Sequence, residues 1–114
     1  MSGTSLDACD AVLCQFEPFA VVARASVAPP AALRAELLQL TQTQAPFTLA
    51  DWGRWDAQVA HWHSEAALAV MAQGHQPIHA IGSHGQTVYH SPHTSPAFTL
   101  QIGDPNIIAA RTGI

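Results

Sequence analysis

Between positions 52 and 69, six apolar side chains recur at alternating steps of three and four: Trp52, Trp55, Val59, Trp62, Ala66 and Ala69. That spacing lays them in one continuous stripe along a helix. Thr48 stands in the N-cap position and Asp51, three residues on, in the capping-box position. The pattern predicts a long helix from there to about Gln73, with Gly74 stopping it in a left-handed conformation. Three tryptophans at so regular a spacing read as core packing in preference to a ligand box. Whatever fold the chain adopts must therefore cover this stripe.

The flanking segments read as strands and shorter helices. Residues 10–16 form a strand, Glu17-Pro18 a turn, and residues 19–28 a second strand. Val21, Ala23, Ala25 and Val27 lie on one face of that strand, with Arg24 and Ser26 on the other. The short connection predicts an antiparallel hairpin. Pro29-Pro30 ends it, and Pro30 suits a first helical position. Leu33, Leu37 and Leu40 mark a helix over 31–40. After the long helix, residues 78–83 read as a short apolar strand. Strand, helix, strand in that order predicts a crossover onto a parallel strand. Residues 86–90 and 97–102 flank a loop and predict a second hairpin. Asp104-Pro105 pairs an N-cap with a first-turn proline, opening a last helix that ends before Gly113. The order is β-β-α-α-β-β-β-α, an α/β arrangement in one domain without linker or internal repeat.

Composition narrows the partners. Charged residues make up 11% of the 114, against roughly a quarter in an average soluble domain. The four basic residues are all arginine and the formal net charge is -4, which gives no electrostatic footprint for nucleic acid. No apolar run is long enough to span a membrane. The opening residues have neither the basic start nor the apolar core of a signal peptide. Cys9 and Cys14 sit on one strand, roughly 16 Å apart at about 3.3 Å per residue, beyond disulfide reach. They read as reduced structural thiols of a cytoplasmic protein.

Three clusters carry chemistry. Gly3-Thr4-Ser5-Leu6-Asp7, ahead of the first strand, combines close backbone approach at glycine with two hydroxyls and an acid. Such a turn suits phosphate, and Asp7 or Asp10 suits Mg²⁺; it is equally an ordinary polar turn. No P-loop occurs, and a chain without lysine cannot supply one. Gly82-Ser83-His84-Gly85-Gln86-Thr87 follows the apolar segment at 78–83, where open α/β sheets bind ligands. Its neutral donors and acceptors suit a hydroxyl-rich ligand such as a sugar; a polar turn with a capping histidine explains it as well. Asp104 reads first as a helix cap and second as a ligand. The seven histidines do not have zinc spacing: His61 and His63 point about 200° apart on a helix, and His90 and His93 flank a loop without acid or cysteine nearby.

Taken together, three strings are similar to one family. They are Met-Ser-Gly-Thr-Ser-Leu-Asp-x-x-Asp-Ala-Val-Leu (1–13), Ile-Gly-Ser-His-Gly-Gln-Thr-Val-Tyr-His (81–90) and Thr-Leu-Gln-Ile-Gly-Asp-Pro-Asn-Ile-Ile-Ala-x-Arg-Thr-Gly-Ile (99–114). In this order and spacing they resemble anhydro-N-acetylmuramic acid kinase. The resemblance implies a partial domain of the sugar kinase/actin/Hsp70 (ribonuclease H-like) fold. It implies ATP and Mg²⁺ as cofactors and a small amino sugar as substrate. The 1,6-anhydro ring is opened by water while O6 is phosphorylated, giving N-acetylmuramic acid 6-phosphate in cytoplasmic peptidoglycan recycling.

Carried over residue by residue, the resemblance makes Gly3, Thr4, Ser5, Leu6, Asp7, Ala8, Cys9 and Asp10 the ATP phosphate-binding turn. Asp7 and Asp10 become the Mg²⁺ candidates. Ser83, His84, Gln86, Thr87 and Asp104 become substrate contacts. A homodimer of the complete protein, without nucleic-acid or membrane partners, is also expected.

The chain departs from the family pattern at Ala8, where a glycine is usual. It also lacks the short apolar strand that precedes Met-Ser-Gly in the family. It matches only about the first third of a member, so the general-base aspartate and the adenosine-binding half are expected beyond Ile114, and the segment alone is expected to be inactive. The alternatives are a truncated, non-catalytic remnant or a piece of another sugar kinase of the same fold. A segment cut from a larger domain also accounts for the low charge, and predicts exposed apolar surface.

Overall fold

A computed structural model describes residues 2–3, 5–43, 45–74 and 77–114. The elements are β1 (Cys9–Phe16), β2 (Phe19–Val27), α1 (Ala31–Thr43), α2 (Leu49–Met71), β3 (Gln86–Ser91), β4 (Phe98–Ile102) and α3 (Pro105–Thr112). The strands form two separate antiparallel hairpins, β1-β2 and β3-β4. Cys9 pairs with Val27 and Phe16 with Phe19, with a bulge between Leu13 and Cys14. Gln86 pairs with Ile102 and Ser91 with Phe98, with an irregularity between Thr87 and Tyr89.

The helix expected from the tryptophan stripe is the centre of the molecule. At its start the Thr48 hydroxyl accepts from the Asp51 amide at 3.1 Å, while the Asp51 carboxylate accepts from the Thr48 amide at 3.0 Å. This reciprocal box satisfies two donors the first turn would otherwise leave open. Trp55, Val59, Trp62 and Ala66 are buried. They pack with Leu6, Cys9, Leu33, Leu37, Val88 and Ile102 into one core. Each buried indole satisfies its N–H: Trp62 donates to the Val27 carbonyl at 2.8 Å and Trp55 to the Glu36 carboxylate at 2.6 Å. Burial extends past the stripe to Ala60, His63 and Ser64, because α2 packs against β1 and β2 on one side and α3 on another.

Two expectations fail. Residues 78–83 form no strand, and the described residues contain no parallel pairing. An apolar run becomes a strand only when a neighbour completes its hydrogen-bond ladder, and here no strand lies beside it. A cavity of about 570 Å³ separates Ile78, Ala80 and Ile81 from Cys9, Ala11 and Leu13 of β1, floored by Ala66, Ala67 and Val70 of α2. Gly74, for its part, does not close α2 in the left-handed region. The helix ends at Met71 and its cap is Ala72, in right-handed conformation, whose N–H donates to the Leu68 carbonyl.

The last helix follows expectation. Asp104 caps it, Pro105 opens it, and Gly113 ends it at φ +77. Among the described residues no helix is long and apolar enough to cross a membrane. The outer face of the first hairpin leaves Val12, Phe16, Phe19 and Val22 exposed.

Candidate active-site segment

The turn between Ser2 and Cys9 is held from three sides. Ser2 and Cys9 form an antiparallel bridge. The Leu6 amide donates to the Gly3 carbonyl at 3.1 Å, closing the turn. Leu6 stands at φ +54, a conformation that L side chains seldom adopt. Its side chain is 1% exposed, so core packing holds the backbone there. Gly3, Ser5 and Asp7 face outward by contrast. Arg34 of α1 braces the turn from outside: its Nε donates to the Leu6 carbonyl at 2.9 Å and its Nη2 to the Ser5 carbonyl at 3.3 Å. The same nitrogen lies 3.4 Å from the Asp7 carboxylate. Arg34 draws in carbonyl oxygens and sets a cation beside the turn, a favourable setting for an anion. Sequence reasoning missed it, because nothing in an isolated arginine on a short helix marks its partner 28 residues away.

Ala8 does not share the left-handed conformation. Leu6 is the described non-glycine residue with positive φ, so alanine in place of the family's glycine sits without backbone strain. Thr4 lies outside the described residues. Asp10 accepts from the Ser26 hydroxyl at 2.7 Å across the hairpin and lines the cavity beside β1. Cys9 is buried, and that burial raises its thiol pKa, so it reads as a core residue.

The polar segment after residue 82 comes to the same end of the molecule. The amide of Gln86 donates to the Gly3 carbonyl at 3.3 Å and to the Thr87 carbonyl at 3.1 Å. Gln86 is 1% exposed, and its Oε1 has no hydrogen-bond partner among the described residues. It thus clamps the two segments together from within. Ser83 accepts from the Gly85 amide at 3.4 Å. His84 is exposed, and its Nδ1 lies 2.5 Å from the Gly85 carbonyl. Thr87 accepts from the Gln101 amide at 3.3 Å. Gly85 needs its glycine: it stands at φ +72, and a Cβ there would fall on the Ile102 carbonyl oxygen.

Asp104 is engaged as a cap, accepting from the Asn106 backbone and side-chain amides, each at 2.8 Å. The unforeseen residue is His63. It is buried on α2, with Nε2 3.2 Å from the Ser2 hydroxyl and Nδ1 3.4 Å from the Ser83 hydroxyl. Burial above all lowers its pKa to about 4, so it is neutral at physiological pH. His61, read with it as a non-chelating pair, points elsewhere and meets Arg111 at 3.0 Å. Among the described residues no group of three or more His, Cys, Asp or Glu side chains gathers as a metal cage.

Residues 1–114 match the family model described as anhydro-N-acetylmuramic acid kinase. Proteins of that name from three strains of Coxiella burnetii (Dugway 5J108-111, RSA 331 and CbuG_Q212) are each 41% identical over 117 residues. The alignment takes in 100% of this chain and 31% of each relative. The chain thus spans about a third of the length of the curated relatives it matches. With a match that runs from the first residue to the last, the chain belongs to the anhydro-N-acetylmuramic acid kinase family.

Proposed function

We propose that this chain forms two facing walls of a kinase site, as the N-terminal part of a domain of the sugar kinase/actin/Hsp70 type. One wall is the turn over 3–10, which receives the phosphates of ATP; Thr4 belongs to this reading on the sequence alone. The other is the 83–87 segment, which lies against 1,6-anhydro-N-acetylmuramic acid through Ser83, His84 and Thr87, with Asp104 at the margin. The observation that carries the reading is the Gln86-to-Gly3 hydrogen bond. It ties together two segments 83 residues apart, each of which the sequence singles out for chemistry.

In the reaction water adds to C1 of the sugar as the C1–O6 bond breaks. O6 takes the terminal phosphoryl group of ATP as the bond to ADP breaks, giving N-acetylmuramic acid 6-phosphate in cytoplasmic peptidoglycan recycling. Phosphoryl transfer is governed by positioning and charge stabilisation. Gly3 leaves its backbone uncovered by a side chain, and an added Cβ would meet nothing nearer than the Ser5 hydroxyl at 3.6 Å. Arg34 fixes the turn through the Leu6 and Ser5 carbonyls and sets a positive charge beside it. Asp7 and Asp10 are exposed oxygen donors, which fits a Mg²⁺ ion held by one or two carboxylates, water and phosphate oxygens. That ion, when bound, neutralises charge on the phosphates. His84 and Ser83 supply a donor and acceptor for sugar hydroxyls.

On this reading no residue of 1–114 activates the water, so a coupled ADP-release assay with ATP and anhydro sugar should show negligible turnover. Amide chemical shifts test the walls directly. Mg-ATP should move Gly3 to Asp10, and the sugar should move Ser83 to Thr87. Shifts confined to other surfaces, or clear sugar-dependent turnover by the chain alone, would overturn the reading.

A further inference from the structure

His63 occupies a position that neither the tryptophan stripe nor the two polar segments accounts for. It is 5% exposed on α2, the helix around which the core is built. Its ring stands edge-on to Trp62, with centroids 5.1 Å apart and planes at 65°, so the ring plane is fixed by packing. From that fixed ring one nitrogen reaches Ser2, which precedes the phosphate-binding turn, and the other reaches Ser83, which opens the sugar-side segment. All three residues line the end of the cavity between β1 and 78–83.

A buried polar ring of this kind is not required for packing. An apolar residue of similar size would fill the space without the desolvation penalty that burying polar groups brings. What the imidazole adds is directionality. A neutral imidazole has one N–H and one lone pair, on its two different nitrogens. It must donate to one serine and accept from the other. Serine hydroxyls can do either, so the state of one hydroxyl dictates that of its counterpart. If Ser2 donates to Nε2, then Nδ1–H donates to Ser83, and Ser83 keeps its lone pairs for Nδ1–H and the Gly85 amide.

We propose that His63 is a positioning residue: a rigid strut from α2 that sets the spacing of the two walls and couples the hydroxyl of Ser2 to that of Ser83. Its consequence for nucleotide and sugar rests on the reading of those walls given above. The coupling itself is a property of the free chain. Gln86 is the second tie between the walls, so removing His63 loosens their relation without separating them.

The test uses the isotopically labelled chain without ligand. Ser2→Ala should shift both ring nitrogens of His63 and the amides of Ser83 and Gly85. In the His63→Phe background the same Ser2→Ala change should leave Ser83 and Gly85 where they were. His63→Asn carries an amide near the Nδ1 position but none at Nε2, so Ser2→Ala should be silent there also. This second background serves if the phenylalanine variant fails to fold. Equal movement of Ser83 in the presence and absence of the imidazole, or no movement in either, would overturn the coupling.

With Mg-ATP added, His63→Phe should bind about three- to tenfold more weakly than the parent, the loss expected for one or two hydrogen bonds. If the parent chain shows no shifts with Mg-ATP, the assignment of the phosphate wall fails, while the ligand-free comparison still decides the strut.

Discussion

Gly85 and Gly53 make a matched pair, in which one substitution should have opposite effects. Gly85 is buried at φ +72. A methyl group built on it would collide with the Ile102 carbonyl oxygen, while lying 3.2 Å from the carbonyl carbon and 3.5 Å from the Gln101 Cβ. The nearest obstacles are backbone atoms of β4 and cannot rotate away. Placing alanine in the left-handed region costs about 1 to 2 kcal/mol, and forcing a methyl into a filled site adds about 1 to 3 kcal/mol. Gly85→Ala should therefore destabilise the chain by about 2 to 5 kcal/mol, a fall in Tm of roughly 8–20 °C for a domain of this size. Gly53 lies inside α2, and its added Cβ would meet nothing within 4 Å. There the gain in helix propensity should stabilise by about 0.5 to 1 kcal/mol. Thermal unfolding followed by circular dichroism, with urea titration in parallel, measures both. A Gly85→Ala melt within about 2 °C of the parent, or a comparable loss at Gly53, would refute the steric reasoning.

Other consequences can be checked on the same chain. Trp62→Phe removes the donor to the Val27 carbonyl, bonded at 2.8 Å, and should destabilise by about 1 to 3 kcal/mol in urea titration. Burial lowers the His63 pKa from 6.5 to about 4 in the folded chain, so on acidification the unfolded state takes up the proton first. The stability contributed by neutral His63 is complete above about pH 6.5 and is lost as pH falls toward 4, by up to about 3 kcal/mol; His63→Phe should flatten that part of the Tm–pH curve. Phe16 is 79% exposed on the outer face of the first hairpin. Phe16→Ser should change stability by less than about 0.5 kcal/mol while reducing self-association in sedimentation or light scattering.

The sequence was most legible where local chemistry decides structure. The 3-4 spacing from Trp52 to Ala69 and the Thr48–Asp51 box specify α2 with no help from distant residues. Asp104, Pro105 and Gly113 do the same for α3. Both hairpins could be read because their strands are joined by short connections. Residues 78–83 carry the apolar pattern of a strand, but pairing is a property of neighbours. Gly74 failed for a related reason: Ala72 and Gln73 continue the turn, their amides donating to the Leu68 and Val70 carbonyls, before a glycine cap is needed.

The site was legible as two strings and illegible as an assembly. Nothing local tells that Gln86 reaches Gly3, that Arg34 reaches Leu6, or that His63 lies between Ser2 and Ser83. One signal was present for His63. It sits beside Ala60, Ser64 and Ala67, small residues along the flank of the tryptophan stripe, and such a flank marks a helix buried on more than one side.

The proposed function makes these residues two walls of one kinase site. It is tested most directly by a chimera in which residues 1–114 replace the matching 31% of a Coxiella burnetii relative. The folded chimera should release ADP only when both ATP and 1,6-anhydro-N-acetylmuramic acid are present, and phosphorylate the sugar at O6. A chimera that melts cooperatively yet shows no sugar-dependent ADP release, where the intact relative does, would contradict it.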